Sequence, residues 1–181
     1  MTTKMICDKF NMPLRICRDN SFILNFSVIN EKTDLSKYIN LNLYTLVGKL
    51  NTDVISDINI HSKVDNQNIN FTIKFQQFGK NMGISKKYAN VNTQMHITSD
   101  INRIEFISNK IKQDVDITKE YEEIEEYSGK LIIDYSDIHS LHCEYVFEMN
   151  IGELPIYMRK LPGMLIKKTF IRLKQFLEHL N

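Results

Sequence analysis

Tryptophan is absent from this chain of 181 residues, Ala89 is its only alanine, and it has three prolines, six glycines and three cysteines. Each scarcity excludes something. So little proline and glycine leaves no composition-marked linker, and no internal repeat is present. The cysteines, Cys7, Cys17 and Cys143, are odd in number and have no paired spacing. That excludes a disulfide framework and a cysteine-rich zinc site and points to free thiols in a reducing compartment. No apolar run approaches the ~18 residues that span a bilayer. The first twenty residues lack the unbroken apolar core of a secretory signal. A formal net charge of +1 gives no field to draw in nucleic acid, so no nucleic-acid partner is expected.

What is present in excess is isoleucine, asparagine and lysine. Their codons are AT-rich and those of alanine are GC-rich, so the bias points to an AT-rich genome such as that of an organelle, a parasite or a large virus. Hydrophobic residues at 43% and charged residues at 25% are ordinary globular usage, which excludes global disorder and suffices for a sizeable core.

The hydropathy pattern is mostly of period two. In Ser21 to Asn30, Phe22, Leu24, Phe26 and Val28 alternate with smaller or polar neighbours, a strand signature. Thr33 or Asp34 then reads as an N-cap. Leu35, Tyr38, Ile39, Asn42, Leu43 and Leu46 fall on one helical stripe, predicting a helix that ends near Gly48. Ile58, Ile60, Ser62 and Val64 alternate, Asp65-Asn66-Gln67-Asn68 turns the chain, and Ile69, Phe71, Ile73 and Phe75 alternate again, which is a hairpin. Val91, Thr93, Met95 and Ile97 make a further strand. Ser99-Asp100 is a turn before the strand from Asn102 to Ser108. Lys130 to Tyr135 reads as a strand. So do Leu141, Cys143, Tyr145, Phe147 and Met149, set against His142, Glu144 and Glu148.

After Gly152 and Pro155 the period changes. Met158, Leu161, Leu165, Thr169, Leu173, Phe176 and Leu180 recur at helical spacing, with Arg159, Lys160, Lys167, Lys168, Arg172 and Lys174 on the other positions. A short helix over residues 155–161 and a longer one from Pro162 are predicted, since proline is tolerated in a first turn. The expected fold class is α+β. A curved antiparallel sheet of about seven strands grips a long C-terminal helix, with one shorter helix after the first strand. Residues 1–20 are expected as an N-terminal extension and residues 21–181 as a single domain.

That order, from about Ser21 to Leu180, resembles the START-like, or helix-grip, superfamily (also called SRPBCC). Ser128-Gly129-Lys130-Leu131, Leu154-Pro155-Ile156-Tyr157 and Leu161-Pro162-Gly163-Met164-Leu165 add a likeness to a cyanobacterial and plastid family of that fold. The resemblance implies a cavity between sheet and helix that holds a lipid, pigment or other apolar ligand. It supplies no catalytic residue. It also implies a plastid stroma, with the cytoplasm as the alternative.

Alternation and the helix stripe name the candidate lining of such a cavity: Phe71, Ile73, Phe75, Met95, Ile104, Phe106, Tyr145, Phe147, Met158, Leu165 and Phe170. Ordinary core packing accounts for the same residues. His139 and His142 lack a third ligand at fixed spacing, so no metal is expected, and no cofactor motif is present. His61 and His96 lie opposite the apolar faces, as solvated histidines do. Cys143 points to the core and lacks a basic neighbour that would make it a nucleophile. Glu120, Glu122, Glu123, Glu125 and Glu126 read as a solvated acidic face rather than paired catalytic carboxylates. Phe78-Gly79-Lys80-Asn81-Met82-Gly83 lacks P-loop spacing and reads as a loop.

The first functional expectation is therefore a non-catalytic binding protein for an apolar small molecule or lipid. The second is a protein-interaction or assembly factor with a filled cavity, and the third a small hydrolase or cyclase. The cations of the last helix also make peripheral membrane contact a candidate role. An open apolar cavity above ~300 Å³ favours the first expectation, and a filled core with an exposed apolar patch the second.

Overall fold

A computed structural model describes residues 3–18, 20–77, 84–98, 102–150, 152 and 158–181 of the chain. Its strands are β1 (Lys4–Cys7), β2 (Leu14–Arg18), β3 (Ser21–Ile29), β4 (Ile55–Asp65), β5 (Asn68–Phe75), β6 (Lys86–Thr98), β7 (Arg103–Lys110), β8 (Tyr121–Glu123), β9 (Glu126–Asp137) and β10 (Ser140–Asn150). Helix α1 spans Leu43–Leu50 and α2 spans Leu161–Glu178. One sheet holds all ten strands in the order β1-β2-β3-β10-β9-β7-β6-β5-β4, with antiparallel neighbours throughout. Off this path, β8 runs parallel to the start of β6.

Ten strands rather than about seven is a correction to the sequence expectation. The additional three are β1, β2 and β8. They have four, five and three residues, too few for alternation to register. β1 and β2 lie within the stretch expected as an extension, and β2 pairs with β3 from Leu14↔Leu24 to Arg18↔Ser21. The expected short helix over residues 155–161 falls largely outside the described residues, as do the turn at Ser99-Asp100 and the loop from Phe78 to Gly83.

The helix expected from Leu35 onward is divided. Asp34 caps a single 3₁₀ turn over Leu35–Tyr38, with the Ser36 amide donating to its Oδ1 at 3.1 Å. Asn40 then interrupts the backbone ladder. Its Nδ2 donates to the Lys37 carbonyl at 3.0 Å and its Oδ1 accepts from the Asn42 amide at 2.9 Å. An asparagine side chain that satisfies local backbone groups offers them an alternative to helix. Only Leu43–Leu50 is left to form α1.

Alternation places the core on one face of the sheet. Phe22, Leu24, Phe26 and Val28 of β3 are buried, beside Leu141, Cys143, Tyr145, Phe147 and Met149 of β10. Across this face lies α2, burying Ile166, Phe170, Leu173 and Leu177. Each such side chain contributes roughly 1.5–3 kcal/mol. The Phe170 ring lies 5.4 Å from that of Phe26 and 5.0 Å from that of Tyr145. The buried stripe is thus rotated from the one read in sequence. Leu165, Phe176 and Leu180 flank it, and Lys167 lies inside it at 2% exposure.

Polar contacts fix α2 along its length. Near its start, the Lys167 ammonium donates to the Met12 carbonyl at 2.5 Å and the Cys7 carbonyl at 3.3 Å, so a buried cation ties the β1–β2 segment to the helix. Midway, Lys168 (2.7 Å) and Arg172 hold Asp53, just ahead of β4. At the far end, the buried Asn30 side chain donates to the Leu177 and Leu180 carbonyls at 2.8 and 2.9 Å. It thereby satisfies carbonyls that a helix end leaves without partners. The helix backbone comes close to the sheet at Gly163, where a Cβ would lie 2.6 Å from the Phe22 ring.

Two expected outcomes follow from this packing. Gly163→Ala forces helix and ring apart and lowers stability by about 1–3 kcal/mol, measured by urea unfolding. Arg172, then Lys168, hold the Asp53 carboxyl well below the usual carboxylate range. A depressed folded pKa stabilises above the unfolded value of about 3.9 and loses that contribution as pH falls toward the folded one. The stability gap between wild type and Asp53→Asn, under about 1 kcal/mol for a half-exposed pair, therefore shrinks below about pH 4 in acid titrations of the unfolding midpoint.

Candidate functional site

The concave face of the sheet and the two helices do not meet everywhere. From α1, Leu43, Tyr44 and Val47 face inward, because the LYTLVGKL sequence places them on one helical side. Ile55 and Ile58 of β4 and Ile73 and Phe75 of β5 form a second wall. Tyr127 and Leu131 of β9 with Tyr145 of β10 form the floor, and Ile166, Thr169 and Phe170 of α2 close the top. The space they enclose is about 60 Å³. That is room for a few heavy atoms and well below the ~300 Å³ at which drug-sized sites begin.

Among the described residues, no Asp, Glu, Lys, Arg or His lines this cavity. Its polar atoms are hydroxyls. The Tyr127 and Tyr145 hydroxyls lie 3.1 Å apart. Tyr44 meets Ser108 at 2.9 Å, and Ser108 meets Thr93 at 2.8 Å. Thr169 donates to the Ile166 carbonyl at 2.7 Å. Burial pushes all three tyrosine phenols upward, and for Tyr44 and Tyr145 the neighbouring phenols add to the effect. The phenols therefore keep their protons at neutral pH. They can serve as hydrogen-bonding groups but are poor proton acceptors.

Local sequence sets this arrangement. Tyr127, Gly129 and Leu131 alternate inward on β9, and Tyr145 sits opposite Leu131 in register. With no side chain at Gly129, the Tyr145 ring reaches across toward Tyr127. A Cβ at residue 129 would lie 2.6 Å from the Tyr145 hydroxyl.

Of the lining candidates read from sequence, Ile73, Phe75, Tyr145 and Phe170 border the cavity. Phe71 and Phe106 stand behind it and pack on Tyr44, with ring centroids at 5.1 and 6.2 Å. Phe147 stacks between Tyr145 (4.8 Å) and Phe22 (5.2 Å). Met95 and Ile104 are buried elsewhere in the core. Leu165 packs at the flank of the core, and half-buried Met158 precedes α2. Sequence reading missed the α1 residues, Ile55, Ile58, Tyr127, Leu131, Ile166 and Thr169. The Tyr127-Gly129-Leu131 alternation was the available signal for the floor.

The remaining candidates take other roles. His139 Nδ1 lies 3.1 Å from the Asn30 carbonyl and 3.0 Å from that of Thr33, while His142 Nδ1 lies 2.9 Å from the Ser27 hydroxyl. Among the described residues, no three His, Cys, Asp or Glu side chains gather as a metal site would require. His61 is exposed and meets Thr72 at 2.7 Å, and His96 is exposed. Burial pushes the Cys143 thiol up to about 12. The acidic segment is crossed by lysines, with Lys86–Glu120 at 2.8 Å, Lys87–Glu122 at 2.7 Å and Lys110–Glu123 at 3.5 Å.

The basic face expected on α2 is a correction. Lys167 is buried, Lys168 and Arg172 hold Asp53, and Lys174 bonds the Ser27 carbonyl and Glu178. At least four of the six cations are thus engaged within the fold. Among the described residues no helix is long and apolar enough to cross a membrane.

No family model and no curated protein sequence matches the chain. Solved structures do. The human StarD13 (DLC2) lipid transfer and protein localization domain superposes with a TM-score of 0.78 at 9% identity, covering 99% of this chain and 90% of that one. A STAR-related lipid transfer protein fragment from Xanthomonas axonopodis gives 0.73 at 9% identity, covering 97% and 98%. Human STARD10 gives 0.73 at 8% identity, covering 97% and 72%. At such identities the likeness is one of fold, and it establishes the START-like helix-grip architecture expected from the order of elements.

Gly129→Ala is expected to push the Tyr145 hydroxyl off Tyr127 and to lower stability by about 1–3 kcal/mol in urea unfolding. A variant as stable as wild type contradicts the close packing described for the cavity floor.

Proposed function

We propose that this chain is a non-catalytic binding protein that holds an apolar small molecule, lipid or pigment between the sheet, α1 and α2. The observation that carries the reading is the cavity wall, drawn from six elements and, among the described residues, free of charged side chains. Such a wall favours apolar contents and offers no group to an ionic one. The fold adds support, since the structures it resembles include a lipid transfer and protein localization domain and a STAR-related lipid transfer protein.

A lipid does not fit into about 60 Å³, so binding requires the wall to open. Helix α1 is the part suited to move. It has eight residues and follows the break at Asn40, and its start lacks the ties to α2 that Asn51 makes at its end, where the Asn51 side chain donates to the Val47 and Thr169 carbonyls. Membrane contact through α2 is no part of this proposal, because most of its cations are engaged. A plastid stroma, with the cytoplasm as the alternative, fits the codon bias and the free thiols.

The small volume also favours a second reading, an interaction or assembly factor whose cavity is filled by its own side chains. Ile29 and Ile138, exposed at one end of the sheet, would then belong to its docking surface.

Val47→Phe separates the two readings by filling the cavity from α1. Titration with a solvatochromic naphthalene fluorophore is expected to show uptake by wild type and at least a ten-fold weaker uptake by the variant, with circular dichroism and the unfolding midpoint preserved. No uptake by wild type, or equal uptake by both proteins, contradicts the carrier reading and favours the filled-core one.

A further inference from the structure

The hydroxyls in the cavity wall specify more than an apolar ligand. Thr169 is satisfied by the Ile166 carbonyl, and Tyr44 has Ser108. Among the described residues, Tyr127 and Tyr145 have only each other, at 3.1 Å. Two phenols carry two protons and share one hydrogen bond, so one O–H is left with nothing to donate to. The donating oxygen of the pair also keeps its acceptor capacity. Tyr145 is 7% exposed and Tyr127 half-buried, so water has access to the pair only from the Tyr127 side. A buried hydroxyl proton without an acceptor is costly, and Gly129 makes the room that brings the two oxygens together.

Building on the carrier reading, we infer that the Tyr127–Tyr145 hydroxyl pair is the polar end of the binding site, and that it selects an apolar ligand bearing one uncharged oxygen, an alcohol or a carbonyl. A carbonyl oxygen accepts the spare O–H. An alcohol does the same and can donate back to the other phenol. A carboxylate or a phosphate headgroup finds no cation in this wall, and its burial there carries a large desolvation cost. A pure hydrocarbon leaves the spare proton unsatisfied. The raised phenol pKa values agree with a pair that keeps both protons across the physiological range. Tyr44 lines the same cavity, and its own chain of three hydroxyls, Tyr44, Ser108 and Thr93, shares two bonds.

The experiment is a comparison of substitutions against ligands, using dodecanol, dodecane and dodecanoate with the intact protein and its Tyr127→Phe and Tyr145→Phe variants. Because the two variants remove the pair from opposite strands, either one that folds, as judged by circular dichroism, serves the test. The expected result is a loss of about five- to ten-fold in dodecanol affinity, the size of one neutral hydrogen bond, with dodecane and dodecanoate binding unchanged by the substitutions. Unchanged dodecanol binding, or an equal loss for all three ligands, overturns the inference and leaves the carrier reading standing. No binding of any of the three to wild type removes the carrier reading and this inference with it.

Discussion

The close approach of α2 to the concave face of the sheet is the constraint on which the rest of the structure depends. A ten-stranded sheet has one apolar face, and two helices must cover it. At Gly163 the helix backbone comes near enough to the Phe22 ring that a single methyl does not fit. Lys167 then ties the helix to the first strands, and Asn30 closes its other end. With α2 held so tightly, the curvature of the sheet leaves a space where α1 wedges in. That space is the cavity.

This geometry explains why the cavity is apolar and why it is small. Strand alternation sends every inward side chain toward the helices, and the helices send back their own apolar stripes. Large aromatics fill most of the room. Phe71 and Phe106 support Tyr44, while Phe147 supports Tyr145. The polar atoms that remain are phenols and hydroxyls, whose burial in such surroundings keeps them neutral.

Much of the fold was legible because period-two alternation is strong in β3, β5, β6 and β10, and because α2 is long enough for its helical period to show. What could not be read had physical causes. β1, β2 and β8 are too short for a pattern. The Asn40 side chain ended a helix that the apolar stripe alone would have continued. Lys167 defied the rule that charges face water, since its partners are carbonyls of residues about 155 positions away in sequence. The cavity was legible in part. Ile73, Phe75, Tyr145 and Phe170 follow from alternation and helical spacing. The α1 wall and the meeting of Tyr127 with Tyr145 depend on how elements pack, which no local pattern records.

The central claim is that the space between sheet and helices is made to hold an apolar molecule. Native mass spectrometry of the purified protein, with extraction of whatever is bound, tests it most directly. The account predicts a reproducible excess mass that disappears on denaturation and extracts as an apolar compound. A clean apoprotein mass, with no uptake from a lipid and pigment panel, would contradict it and leave the cavity as an internal packing feature of an interaction protein.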